Sequence, residues 1–278
     1  MLGAPGPDFG TWESTKLNST VQFQTVADLV VMESRRIMAQ KPNYGIDAPN
    51  VIRNLLLAGA AFLAIALAFP KVTVAHVTFL LIPGFLWPAG WFFLSGVLML
   101  VYAKRGKFRH RDRILAKVPW TGAESVLDVG AGRGLLLIGA ARRLTTGHAT
   151  GIDIWNAEDL SGNGPEALLN NISLEGVGSR TTVKSEDARK MTFPDASFDV
   201  VLSNLCLHNI YDRPGRASAC REIVRVLKPG GLAVISDFKL MREYEGEFNK
   251  AGLEVQMCAR DWTGTFPPLR MLVARKAA

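Results

Sequence analysis

A chain of 278 residues can hold one large domain with an attachment, and a hydrophobic content of 48% is high for a soluble enzyme of this size. The net charge of +7 is concentrated between Lys104 and Lys117, where seven bases face the single acid Asp112. Because the rest of the chain is close to neutral, the charge does not favour a nucleic-acid-binding protein, whose bases cover a folded face. The three cysteines show no zinc-binding spacing, and the sequence predicts no metal site.

The first fifty residues form a predicted N-terminal region. Residues 1–19 are rich in Gly, Pro, Ser and Thr, which is typical of a disordered tail. Residues 20–40 carry apolar side chains at mostly helical spacing and predict an amphipathic helix. That helix could lie on a membrane, cover an active site or pack on a domain surface. Residues 41–50 are dense in turn formers and predict a connector.

Two uncharged apolar runs follow, and they predict a transmembrane hairpin over residues 51–103. The run Val51–Phe69 would span about 28 Å as a helix, close to the hydrocarbon thickness of about 30 Å. The run Val77–Tyr102 holds no charge and is rich in Phe and Trp, while Pro83 and Pro88 should kink it. Two alternatives are a re-entrant hairpin and a buried helical pair in a soluble domain.

The charges around the hairpin predict its orientation. Residues 104–118 form a basic juxtamembrane linker, and bases cluster on the cytoplasmic side of membrane helices. Arg35, Arg36, Lys41 and Arg53 place the other flank on the same side, whereas only Lys71 lies in the turn. We therefore expect a two-pass membrane protein with both termini and its catalytic domain in the cytoplasm. The basic run also suits anionic lipid headgroups of the bilayer.

Residues 119–278 alternate strand and helix patterns, as βαβ units do. The predicted strands cover residues 125–129, 149–154, 181–184, 198–204 and 232–238. The predicted helices cover residues 135–144, 165–174, 216–227 and 243–251. A closing antiparallel pair is expected over 255–258 and 269–274. The pattern predicts an α/β domain with a doubly wound sheet.

The first of these strands runs into a glycine-rich turn with the sequence VLDVGAGRG. A strand, a glycine turn and a helix together bind nucleosides in doubly wound sheets. Asp153 closes the next strand, where a carboxylate can accept both ribose hydroxyls. A dinucleotide site would have G-x-G-x-x-G, but the spacing here is G-x-G-x-G and Leu135 occupies the third position. A nicotinamide or other nucleotide binder remains the alternative.

Four linked segments strengthen this reading: VLDVGAGRG, GIDIW, EDARKMTFPDASFDVVLSNLCLHNI and EIVRVLKPGGLAVISDF. Over Pro119–Lys276 the chain resembles the class I S-adenosylmethionine-dependent methyltransferases, most closely the branch acting on small molecules, quinones and sterols. The resemblance implies a Rossmann-like, seven-stranded sheet with one reversed strand, and S-adenosyl-L-methionine as cofactor. The hairpin lies outside the common core of that family.

The resemblance assigns the methionine and ribose ends of the cofactor. It implies that Gly130, Gly132 and Gly134 line the methionine moiety, with Asp128 toward its amino group. Asp153 would hold the ribose hydroxyls. The alternatives are a plain turn for the glycines and a surface cap for Asp153.

The adenine end is assigned in the same way. Ile154 would pack on the ring, and Asp187 would accept from the adenine amino group with Ala188 beside it. Asn204, at the end of the fourth strand, would reach the cofactor or the substrate. For Asp187 the alternative is a helix N-cap.

Methyl transfer needs a protein base only when the acceptor carries a proton of high pKa. His208 is the candidate, because histidine changes its charge near neutral pH, and Tyr211 is a poorer one. His208 could instead be a structural hydrogen bonder. Asn204 is followed by Leu-Cys-Leu. Enzymes that methylate the exocyclic amines of nucleic-acid bases have Pro-Pro and an aromatic residue at this place. The difference disfavours a nucleic-acid acceptor.

Three hypotheses follow from these patterns. The first is a membrane-anchored methyltransferase acting on a small lipophilic acceptor. The second is a membrane scaffold that binds the cofactor without catalysis. The third is a protein methyltransferase that the hairpin localises to a membrane. The acceptor atom, the membrane and the oligomeric state are left open by the sequence.

Overall fold

The computed structural model describes residues 41–278. The predicted tail and amphipathic helix, residues 1–19 and 20–40, lie outside the described residues. Residues Pro42–Ala278 form one compact unit, which contains an apolar hairpin and an α/β domain.

The apolar hairpin consists of two helices joined by a strand pair. Helix α1 covers Pro49–Ala68, strands β1 and β2 cover Lys71–Val74 and Val77–Leu80, and helix α2 covers Ile82–Val101. By length and composition, both helices could cross a membrane. Most of their large apolar side chains are exposed, with Trp87 as the extreme at 80%.

The strand pair differs from the predicted second run, which began at Val77. Its residues are mostly Val and Thr, whose branched side chains favour strands. The two linking residues, Ala75 and His76, both have positive φ, as a tight hairpin turn requires. The second helix therefore begins only at Ile82, and Pro83 lies in its first turn, where proline is tolerated without a kink.

The two helices of the hairpin approach closely where they carry glycine. A Cβ on Gly59 would lie 3.1 Å from the ring of Phe93, and one on Gly96 would lie 2.9 Å from the side chain of Leu56. Small residues at such crossings let helices pack without a hydrophobic driving force.

The basic segment after the hairpin is helical, which differs from the predicted linker over residues 104–118. One π-helical turn, Tyr102–Gly106, leads into helix α3, Lys107–Leu115. Its buried residues include Lys107, His110 and Ile114, spaced as one helical face, while other bases face outward. The abundance of charge concealed this face in the sequence.

The α/β domain is built on a seven-stranded sheet with the order β5-β4-β3-β6-β7-β9-β8. Its strands are β3 Ser125–Val129, β4 His148–Asp153, β5 Thr181–Ser185, β6 Phe198–Asn204, β7 Leu227–Asp237, β8 Glu254–Met257 and β9 Arg270–Arg275. Pairing from β5 to β7 is parallel, and β9 is antiparallel to both of its neighbours. The predicted seven-stranded sheet with one reversed strand is confirmed.

Four helices cover the two faces of this sheet. They are α4 Leu135–Ala141, α5 Pro165–Leu174, α6 Arg213–Val226 and α7 Met241–Lys250. Helix α6 begins three residues before its predicted start, because the side chain of Asp212 accepts a hydrogen bond from Gly215 N and Pro214 lies in the first turn. Strand β7 begins at Leu227, five residues before its predicted start, and runs through the Pro-Gly-Gly segment.

Two apolar clusters hold the helices on the sheet. One joins Ile114 and Leu115 of α3 to Leu137 of α4, and the other joins Tyr244 and Phe248 of α7 to the opposite face. Because β3, β4 and β6 are parallel, their carboxyl ends meet at one edge, where a doubly wound sheet binds its ligand.

Gly130, directly after β3, is a position where glycine is required. Its φ is +79°, and an added Cβ would lie 2.3 Å from Cys206 Sγ. We expect Gly130→Ala to lower the free energy of unfolding by about 2–4 kcal/mol through left-handed backbone strain and overpacking. Gly176→Ala is the matched control, because Gly176 has φ +66° but nothing within 4 Å of the added Cβ. Urea unfolding of both variants measures the difference, and equal losses would contradict the packing argument.

Candidate active site

A cavity of about 710 Å³ lies at the carboxyl ends of β3, β4 and β6. It extends from the glycine turn to the start of α1 and the end of α2, where Val51 and Met99 line it. The predicted site residues along its wall are Asp128, Gly130, Gly132, Asp153, Ile154, Asp187, Ala188, Asn204 and His208. The structure thus brings together residues that are up to eighty positions apart in the chain.

The glycine turn is fixed by backbone hydrogen bonds to the neighbouring strand. Gly130 N and Ala131 N both donate to Ile152 O, at 2.9 and 3.0 Å. Gly134, the first residue before α4, has φ +88°, and its added Cβ would lie 2.4 Å from Leu168. Gly134 therefore faces the packed core behind the turn and supports the cavity wall from outside.

Asp128 is buried below the turn and is 1% exposed. Its Oδ2 accepts a hydrogen bond from Leu137 N at 2.8 Å. Its Oδ1 has no partner among residues 41–278, although it is shielded from solvent. Burial raises the pKa of Asp128 to about 7, and nearby Asp153 adds to the rise. A cationic ligand group at Oδ1 would supply the missing partner.

Asp153 closes β4, and two backbone N–H groups hold its carboxylate. Gly132 N donates to Oδ2 and Trp155 N donates to Oδ1, each at 2.7 Å. Each carboxylate oxygen keeps a second lone pair. The carboxylate is therefore oriented before any ligand binds and can still accept two hydroxyl groups.

The residues predicted to hold adenine lie on the same side of the cavity. Ile154 is 65% exposed, so it offers an open apolar surface to a planar ring. Asp187 accepts hydrogen bonds from Arg189, including the backbone N at 2.8 Å, and the guanidinium lowers the pKa of Asp187. Asp187 thus caps a local turn as well as lining the cavity, and Ala188 lies beside it.

His208 forms an ion-pair-like contact with a carboxylate that the sequence reading missed. His208 Nδ1 lies 2.9 Å from Oδ1 of Asp237, which is buried at the end of β7. Its Nε2 makes no hydrogen bond with residues 41–278 and can receive a proton. The ring also contacts Phe238 edge to face, which restricts its orientation. Asp237 could have been suspected because it ends the strand next to the one that precedes His208.

Tyr211, the second predicted base, lies elsewhere. It is 88% exposed and is absent from the cavity wall. Ile210 still lines the cavity, and Asp212 then caps the N-terminus of α6. The structure therefore gives Tyr211 no contact with the predicted cofactor residues.

A second set of wall residues was also missed. The segment before α1 crosses the cavity edge and is tied to α3, because Lys107 Nζ donates to Tyr44 O at 2.7 Å and to Gly45 O at 2.6 Å. Asp47 lies 3.4 Å from the same amine. Burial lowers the pKa of Lys107 and raises that of Asp47, while their mutual attraction opposes both shifts. A turn-rich connector gave no sign of this contact.

The cavity wall is rich in acids. The acidic residues on it are Asp47, Asp128, Asp153, Glu158, Asp159, Glu186 and Asp187. The basic residues on it are Lys107, Arg133 and Lys239. An excess of carboxylates raises the local concentration of cations and suits a positively charged ligand.

The part of the chain that holds this cavity is similar to known proteins. Residues 127–235, from the first strand of the sheet to β7, match a family model described as a methyltransferase domain. This part of the chain is a methyltransferase domain. It belongs to class I, the Rossmann-like class, and its cofactor is S-adenosylmethionine.

Curated relatives of the methyltransferase domain carry similar names. A 27-O-demethylrifamycin SV methyltransferase of Amycolatopsis mediterranei is 32% identical over 48% of this chain and 45% of its own length. The ubiquinone/menaquinone biosynthesis C-methyltransferase UbiE of Vibrio campbellii is 33% identical over 41% of each chain. The chain spans about half the length of the curated relatives it matches.

Solved structures share the fold of the methyltransferase domain. The [4+2]-cyclase SpnF matches with a TM-score of 0.53 and 18% identity, over 62% of this chain and 81% of SpnF. The YcgJ protein from Bacillus subtilis matches with a TM-score of 0.51 and 16% identity, over 61% and 99% of the two chains. A fold hosts several activities, so the chemistry must be argued from the site.

The wall of the methyltransferase domain fits S-adenosylmethionine. The unpartnered Oδ1 of Asp128 suits its ammonium group, the oriented carboxylate of Asp153 suits its ribose, and Ile154 suits its adenine. The acidic wall suits its sulfonium charge. We expect these residues to hold the cofactor.

The pKa of Asp128 predicts how cofactor binding depends on pH. An ammonium group binds the ionised carboxylate, so affinity should fall as pH decreases through about 7 and Asp128 takes up a proton. We expect the Kd of S-adenosylhomocysteine, which carries the same ammonium, to rise by up to about tenfold per pH unit below 7. In Asp128→Asn this dependence should disappear, and calorimetric titration at several pH values would show it. An equal slope in both proteins would contradict the assignment.

The stability of the unliganded protein should decrease as pH rises, whereas its affinity for the cofactor increases. Because the pKa of Asp128 is higher in the folded than in the unfolded state, ionisation destabilises the unliganded protein as pH rises from about 4 to 7. Above pH 7, the full loss of stability caused by the ionised Asp128 carboxylate is present. Asp128→Asn should therefore raise Tm more at pH 8 than at pH 5.

Proposed function

We propose that this protein is a membrane-anchored methyltransferase that transfers the methyl group of S-adenosylmethionine to a small lipophilic acceptor. The observation that carries the proposal is the shape of the cavity. Val51, in the first turn of α1, and Met99, in the last turn of α2, line the same cavity as Gly132 and Asp153. An apolar molecule leaving a bilayer between the hairpin ends would reach the cofactor site directly.

Several features support anchoring by the hairpin. Its helices carry no charge between Leu55 and Phe69 or along α2, and their outer side chains have no cover within residues 41–278. Trp87 and Trp91 stand near the start of α2, as interfacial aromatics do. The bases after α2 support a cytoplasmic location for both hairpin ends and for the methyltransferase domain.

The residues around the cavity can carry out the transfer. When bound, S-adenosylmethionine supplies a methyl group on a sulfonium sulfur, which departs with the bonding electron pair. The chain then has to align the acceptor and remove its proton. His208 Nε2 takes up the proton of an acceptor hydroxyl, while Asp237 holds Nδ1–H and stabilises the resulting imidazolium.

Transfer of labelled methyl groups tests this function. Native membranes containing the protein are incubated with cofactor labelled on its methyl group, and the label is followed into organic-soluble, protein and nucleic-acid fractions. Label in the organic phase, absent with Asp153→Ala, supports a lipophilic acceptor. Label in protein would favour the protein methyltransferase. Cofactor binding without transfer into any fraction would favour the non-catalytic scaffold.

A further inference from the structure

We propose that the loop between β8 and β9, residues 258–269, contacts the headgroup layer of the bilayer through Trp262. The inference rests on the proposed function, because it takes the hairpin as the membrane anchor, and it adds a second membrane contact made by the methyltransferase domain itself. Trp262 is 71% exposed, and the guanidinium carbon of Arg260 lies 5.7 Å from its ring centroid. Tryptophan is enriched at membrane–water interfaces, where one end of the ring is wet and the rest is apolar.

The loop holds Trp262 in a fixed place. Asp261 N donates to Leu269 O at 2.8 Å, and Thr265 Oγ1 donates to Asp261 O at 2.9 Å. Gly264 N donates to Asp261 Oδ1 at 2.8 Å. A single exposed apolar side chain needs no partner by itself, so the position of this ordered loop decides what Trp262 meets.

The position of the loop is beside the end of the hairpin. A Cβ on Gly106, which follows α2 by five residues, would lie 3.2 Å from Gly264 O. Arg113 of α3 forms an ion pair with Asp261 of the loop. These two contacts place the loop against the helix at the point where it leaves the predicted membrane span.

The same helix measures how far the loop lies from the apolar layer. Helix α2, the π-helical turn and α3 form one continuous helix over Ile82–Leu115. At the rise of an α-helix, Gly106 lies about 7 Å beyond Val101, the last residue of α2. The headgroup layer on each side of a bilayer is about 5–8 Å deep. When α2 spans the apolar layer, the loop therefore lies at the level of the headgroups.

The charge of this surface suits anionic headgroups. Lys104, Arg105 and Arg109 are exposed on the helix that passes the loop, and Arg260 adds a base beside Trp262. Bases next to a membrane helix attract anionic lipids. Because Phe266, in the same loop, lines the cavity, a contact between Trp262 and the headgroups would hold this part of the cavity wall at the membrane surface.

Quenching by a headgroup label tests the contact in the full-length protein. The protein is reconstituted into vesicles of phosphatidylcholine and phosphatidylglycerol, in which part of the phosphatidylcholine carries a nitroxide on its headgroup. The fluorescence of Trp262 is the difference in emission between the unmodified protein and Trp262→Phe. We expect this difference to be at least about twofold smaller in nitroxide vesicles than in unlabelled ones, because Trp262 lies among the headgroups.

Trp120→Phe is the matched control. Trp120 Nε1 donates to Leu115 O at 2.7 Å, and Leu115 ends the same helix about 21 Å beyond Val101. The fluorescence of Trp120, obtained as the corresponding difference, should be the same in both kinds of vesicle. Unchanged fluorescence of Trp262, or equal quenching of Trp262 and Trp120, would overturn the contact.

The two proposals can fail separately. Quenching of Trp262 without methyl transfer into the organic-soluble fraction would retain the headgroup contact and remove the proposed function. Methyl transfer into that fraction by a protein whose Trp262 is not quenched would do the reverse. A protein that does not remain with the vesicles would overturn both.

Discussion

Replacing Asp153 with alanine should weaken cofactor binding by at least about 100-fold. The carboxylate offers two lone pairs to ribose hydroxyls, and hydrogen bonds to a charged group contribute about 1.5–3 kcal/mol each. The variant also leaves Gly132 N and Trp155 N without their acceptors, so the turn itself becomes less defined. Calorimetric titration with S-adenosylhomocysteine measures the loss.

Two companion variants separate binding from folding. Asp153→Asn keeps one acceptor oxygen and should lose less affinity than the alanine variant. Asp195→Ala removes an exposed carboxylate that pairs with Arg225 outside the cavity and should bind the cofactor normally. If Asp153→Ala bound with unchanged affinity while Tm was preserved, the assignment of this carboxylate to the ribose would be wrong.

His208→Gln should lower kcat by about 100- to 10,000-fold for an acceptor hydroxyl, the range that a positioned general base contributes. Glutamine retains polarity but takes no proton near neutral pH. The Kd of the cofactor should be unchanged, because His208 is assigned to proton removal. Single-turnover rates with labelled cofactor give the comparison.

Asp237→Asn should reduce kcat by a smaller factor, since the amide can still orient Nδ1 but cannot stabilise an imidazolium. His148→Gln is the control, because His148 lies at the opposite, amino end of β4, where its side chain forms a hydrogen bond with Thr182. A full rate in His208→Gln would show that the acceptor needs no protein base.

The fold of the methyltransferase domain could be predicted from the sequence because its signals are local. Each strand is a short apolar run, and each glycine of the turn sits where the backbone needs positive φ, as at Gly130 and Gly134. Asp128 and Asp153 lie at the carboxyl ends of adjacent strands, so parallel pairing alone brings them to one edge.

Other parts of the site depend on contacts between distant segments. Asp237 meets His208 only because β7 pairs with β6, and the distance between the two side chains follows from that pairing rather than from either residue's own element. Lys107 is one base in a run of seven, yet it is buried because the carbonyls of Tyr44 and Gly45 accept hydrogen bonds from its amine. Periodicity and composition predict the helix or strand to which a residue belongs. The roles of Asp237 and Lys107 depend instead on packing between separate helices, strands and connecting segments.

The proposal that the acceptor comes from the bilayer is tested most directly by surface dilution. The protein is reconstituted into vesicles made from lipids of its native membrane mixed with increasing amounts of pure phosphatidylcholine. The transfer rate is then measured at constant bulk volume. We expect the rate to fall in proportion to the acceptor's mole fraction in the bilayer, because Val51 and Met99, at the ends of the hairpin helices, line the cavity. A rate that is unaffected by added lipid would show that the acceptor reaches the site from water and would contradict the account.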